Sequence, residues 1–103
     1  MKDAKIREIV LRDERTEKDI IYLAAKITDE GHLQLEGYDV GETPKEFWGD
    51  DDYEYWLTID KEYKDTVLLW LIKERFDSDF KNDSEFRDWL KEKGIPSDFY
   101  SWV

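Results

Sequence analysis

In three stretches between residues 19 and 59 the apolar side chains recur at every second position; beyond Asp60 they gather at helical spacing instead. A period of two sends alternate side chains to opposite faces of a strand, whereas i, i+3, i+4 spacing lines one face of a helix. The switch predicts an α+β fold: a four-stranded antiparallel sheet, arranged as a meander, followed by two helices packed on one face. At 103 residues the chain suits one domain spanning 1–103.

Ala4–Asp13 reads as the first strand, although its register is ambiguous: Ile6, Glu8 and Val10 share one side, Ile9 and Leu11 the other. Asp19–Thr28 is a stronger strand, with Ile21, Leu23, Ala25 and Ile27 on one face and Ile20 and Tyr22 on the other. Asp29-Glu30-Gly31 supplies turn chemistry, and His32–Tyr38 follows as the third strand. Gly37, Gly41, Pro44 and Gly49 then break the pattern, which predicts a loop over 39–52. Tyr53–Ile59 is the fourth strand. Should Tyr22 and Trp56 both point away from the helices, they form an aromatic patch on an open face.

Asp60 suits the N-cap of a helix running to about Arg75, with Tyr63, Thr66, Val67, Trp70, Leu71 and Glu74 along one face. Leu68, Leu69 and Ile72 widen that stripe, so this helix is expected to be the most buried element. Asn82 with Glu85 resembles a capping box opening a second helix, with Phe86, Trp89 and Leu90 inward. Gly94, Ile95 and Pro96 spell a Schellman stop.

Charged residues make up 42% of the chain, which raises the question of disorder, but 16% are aromatic. Each buried aromatic removes about 150–250 Å² from water, the driving force that disordered chains lack. The net charge of −11 is uneven: residues 29–66 carry thirteen acids against three bases, or −10. Such a segment attracts cations or basic partners and repels nucleic acid and anionic lipid. The absence of cysteine excludes disulfides and thiolate chemistry. The longest apolar runs, Ile20–Ala25 and Val67–Ile72, fall far short of the roughly 20 residues of a membrane helix, and no signal-peptide core is present. A cytoplasmic, non-membrane protein is expected.

The chemistry-bearing residues point away from catalysis. His32 is the sole imidazole, and none of Ser78, Ser84, Ser97 or Ser101 lies in a nucleophile-elbow pattern. Asp50-Asp51-Asp52 with Glu54 is the densest anionic cluster, but the EF-hand spacing fails: Tyr55 stands where glycine belongs and Lys61 at the twelfth position. No phosphate loop occurs and the basic residues do not cluster, so neither a cofactor, nor a dedicated metal, nor direct nucleic-acid binding is expected.

The most distinctive text is GHLQLEGYDVG (31–41), then FWGDDDYEYWLTI (47–59), with FRDWLKEKGIP (86–96) later. It resembles a pattern of small bacterial proteins, G-x-L-x-x-E-G-x-D-x-G followed by an acidic Y-E-Y strand, for which no function is established; the resemblance implies no activity. The leading expectation is therefore a small acidic, non-catalytic binding or regulatory module. Its loop would engage a basic protein through Glu42, Glu46, Asp50, Asp51, Asp52 and Glu54, with Trp48 as the apolar anchor. A nucleic-acid mimic or toxin-neutralising protein and a small hydrolase are the alternatives, and the oligomeric state stays open.

Overall fold

The computed structural model describes residues 5–42 and 52–102. Four strands, β1 (Glu8–Arg15), β2 (Asp19–Ile27), β3 (Leu33–Gly41) and β4 (Asp52–Ile59), precede two helices, α1 (Lys61–Ser78) and α2 (Asp83–Glu92). The strands pair in chain order, each antiparallel to the next, so the sheet is a four-stranded meander and the fold is α+β. The chain divides into two compact units: residues 7–65, which hold the sheet and the first turn of α1, and a helical unit built on residues 66–103 with 1–6.

In the sheet unit, β2 and β3 pair without interruption from Asp19↔Gly41 to Ile27↔Leu33. Alternate residues therefore stay on one face throughout. One face collects Ile21, Leu23, Ala25 and Ile27 with Leu33, Leu35, Tyr53, Tyr55, Leu57 and Ile59; the other collects Tyr22, Ala24, Glu36, Tyr38, Glu54 and Trp56. The two residues of lowest exposure among those described, Ala24 and Gly37, lie on the central strands, where two neighbours flank each position.

Three expectations are corrected here. The first strand starts later than Ala4, and its ambiguous register has a cause: the ladder to β2 shifts between Val10 and Arg12. A bulge of this kind inserts one extra residue, so the apolar alternation changes face midway. The third strand does not stop at Tyr38 but continues to Gly41, because its ladder to β2 carries the backbone through the glycines. Residues 39–41 and 52 thus belong to strands rather than to the predicted loop, Glu42 follows β3, and the rest of that loop lies outside the described residues.

The third correction concerns α1, expected to be the most buried element. It contains no buried residue, and Leu68, Leu69, Trp70 and Leu71 are all more than half exposed. Val67–Ile72 is an unbroken apolar run, and six residues at 3.6 per turn encircle the helix rather than forming a stripe.

In the helical unit the helix ends follow their sequence signals. The Asn82 side chain accepts the Glu85 backbone N–H at 3.1 Å, while the Glu85 carboxylate accepts from the Lys81 N–H, one residue outside the usual capping box. At the far end Gly94 takes φ 71°, Gly94 N–H donates to Lys91 O and Ile95 N–H to Leu90 O. These are the paired bonds of a Schellman motif, whose left-handed residue is most readily glycine. Phe76, Phe80, Phe86 and Trp89 join the two helices through edge and stacked contacts of 5.6–6.4 Å between ring centroids. Among the described residues no helix is long and apolar enough to cross a membrane.

Candidate functional site

The predicted acidic site falls on the end of β3 and the start of β4. Glu42 is exposed just past β3, where its Oε2 lies 3.8 Å from Lys18 Nζ. Asp52 opens β4 opposite Val40, and Glu54 sits opposite Tyr38; both are exposed. Glu46, Trp48, Asp50 and Asp51 lie outside the described residues. Of the seven predicted residues, the ladder thus brings Asp52 and Glu54 onto one face and sets Glu42 at the neighbouring strand's end.

On that face the aromatic residue beside the carboxylates is Trp56, two positions along from Glu54 and opposite Glu36. Trp56 is 59% exposed. Tyr22 lies on this same face, where it stacks on Tyr38 at 5.3 Å between centroids. Glu36 is partly balanced by Lys26 of the adjoining strand β2, 3.5 Å away. A tryptophan flanked by carboxylates on a strand offers a flat apolar contact and negative charge together.

The opposite face carries a group that sequence reasoning missed. Arg12 is paired with Glu14 at 2.5 Å, and this contact raises the guanidinium pKa and lowers that of the carboxyl. Tyr55 covers Gly37, and partial burial, then the Asp39 carboxylate, push its phenol above the usual value. Asp39 Oδ1 is buried without a hydrogen-bond partner. A phenol held neutral in this way is not a base, so the cluster supplies charge rather than proton transfer. Only the bulge aligns Arg12 with this face, so no sequence pattern announces it.

The sole imidazole, His32, is half-buried. Its Nδ1 accepts the backbone N–H of Lys61 at 3.0 Å. An amide can only donate, so Nδ1 carries no proton and the neutral ring is protonated on Nε2. A catalytic triad requires the reverse, an Nδ1–H donating to a carboxylate. The nearby Asp60 is engaged otherwise, accepting the Glu62 N–H at 2.9 Å through Oδ1. Among the described residues no group of three or more His, Cys, Asp or Glu side chains is arranged to hold a metal ion.

Within the helical unit, Leu68, Leu71, Ile72 and Arg75 of α1, Phe86, Trp89 and Leu90 of α2, and Phe80 and Ile95 line an apolar groove of about 480 Å³. It lacks convergent polar groups, the feature that orients a small substrate.

No protein-family model, no curated protein and no solved structure matches this chain.

Proposed function

We propose that this chain is a non-catalytic protein-binding module whose acidic middle segment docks a basic protein partner. The observation that carries the reading is Trp56, exposed on β4 between Glu54 and Glu36, within a segment of thirteen acids and three bases. Tryptophan is enriched where interfaces concentrate their energy, and its ring face accepts a lysine or arginine cation. The surplus carboxylates accelerate encounter with a positive surface more than they deepen affinity. The engagement of His32 Nδ1 by the Lys61 amide favours this reading over hydrolysis.

The test compares two variants that remove equal charge. One carries Asp50→Asn, Asp51→Asn and Asp52→Asn; the other carries Glu74→Gln, Asp88→Asn and Glu92→Gln on the helices. Each is titrated with a synthetic peptide of alternating lysine and leucine while tryptophan fluorescence is followed, with Trp56→Phe as the reporter control. The reading requires the first variant to bind more weakly and more slowly than the second. Equal loss in both reduces the binding to net charge and rejects the segment as the docking surface.

A further inference from the structure

The apolar girdle of α1 has no part in the docking surface proposed above. A helix that is apolar all round belongs inside a larger body, yet four of the six residues Val67–Ile72 are more than half exposed. Beside them lies the groove of about 480 Å³. The groove is lined almost wholly by apolar side chains, and covering it removes that surface from water.

The charge distribution selects the occupant. α1 carries four cations, Lys61, Lys64, Lys73 and Arg75, against four anions, Glu62, Asp65, Glu74 and Asp77. From Lys61 to Lys93 the count is eight bases and nine acids, so all but one unit of the −11 lies outside the helices. A basic partner gains nothing here. Conversely, two copies of so acidic a chain repel one another through the rest of their surface, and the helices are where they approach without that cost. One element also supplies both the protruding girdle and one wall of the groove. A two-fold contact needs that self-complementarity, since each copy must present the same patch.

We infer that α1 and the groove beside it form an interface between two copies of this chain, the girdle of each filling the groove of the other. Two short helical units joined in this way bury apolar faces as paired helices do in bundles.

Light scattering coupled to size exclusion, run on the full chain over a dilution series, reads the outcome. The expected result is twice the chain mass at high concentration, falling toward the single-chain mass on dilution, with hydrogen exchange of the α1 amides accelerating in step. Leu68→Glu with Leu71→Glu should weaken the association at least about tenfold, because each places a carboxylate in an apolar contact. Ile9→Glu, at an exposed position of β1, should leave it unchanged. The dilution series uses the unaltered protein, so the test survives a variant that fails to fold. A single-chain mass at every concentration overturns the inference, whether Trp70 is then shielded from quencher or open to it. A double mass that ignores both α1 carboxylates overturns it too, by moving the contact elsewhere. Neither result depends on whether the lysine–leucine peptide binds.

Discussion

Nδ1 of His32 accepts the backbone N–H of Lys61 at 3.0 Å, tying the turn before β3 to the first residue of α1. The first N–H groups of a helix have no partner within it, and here the imidazole serves one while Asp60 serves the next. Lys64 adds a third tie, its Nζ donating to Gly31 O at 2.9 Å. Replacing His32 by Ala strands the Lys61 amide, and losses of this kind cost about 0.5–2 kcal/mol. Chemical denaturation should report that decrease, and His32→Asn, which keeps a side-chain acceptor, should recover part of it. Partner binding through β4 should not change.

Gly37 faces Tyr55 across the β3–β4 ladder, and a Cβ at residue 37 would lie 2.5 Å from the Tyr55 ring and 2.9 Å from Tyr22 O. The ring can rotate away, but the backbone oxygen cannot do so without distorting the sheet. Gly37→Ala should therefore destabilise the protein by about 1–3 kcal/mol, the usual cost of overpacking. Combining it with Tyr55→Ala should be less damaging than the sum of the two, by roughly 0.5 kcal/mol or more, because the pair share one clash. Urea unfolding of the four proteins measures the coupling; strict additivity would mean that the Tyr22 oxygen alone carries the strain.

These contacts mark where sequence reading succeeds and where it stops. β2, β3 and β4 were legible because alternation and turn residues are local signals. The face change in β1 was not, since a bulge at Val10 and Arg12 leaves no compositional trace. The Arg12, Asp39 and Tyr55 grouping depends on that register and was hidden with it. The role of His32 needed residues 29 positions apart to meet. In α1 the apolar residues were recognised but the stripe was not a stripe: Leu68, Leu69, Trp70 and Leu71 point in different directions, and spacing alone does not say what covers them. Of the acidic site, the structure arranges Glu42, Asp52 and Glu54; the alternation that put Glu54 beside Trp56 was already readable.

The Asn82 cap gives an independent check on the helical unit. Its Oδ1 takes the Glu85 N–H, and the Glu85 carboxylate takes the Lys81 N–H in return. Asn82→Ala should cost about 1 kcal/mol, whereas Asn82→Asp should retain most of the cap and gain from the helix dipole. Thermal unfolding followed by far-ultraviolet circular dichroism distinguishes the two. If the alanine variant melts with the wild type, α2 is held by its aromatic contacts alone.

Arg75 closes the end of α1 by donating from Nε and a terminal nitrogen to both carboxylate oxygens of Asp79, at 2.8 and 2.9 Å, while its guanidinium lies 4.2 Å from the Phe80 ring centroid. The Arg75 hydrogen bonds, then that of Ser78, lower the Asp79 pKa below the ordinary carboxylate value. The sign follows directly: a carboxyl whose folded pKa is depressed contributes its stability in full above the unfolded pKa and loses it as the pH falls through the folded one. The difference in melting temperature between the wild type and Asp79→Asn should therefore be largest near neutrality and shrink on acidification. Carbon-detected titration should place the Asp79 midpoint below the ordinary carboxylate value, and Arg75→Gln should return it toward that value. Both groups face solvent, so the effect should also shrink in high salt. A melting difference that stays constant through the acid range would show that Arg75 acts through Phe80 rather than through the carboxylate.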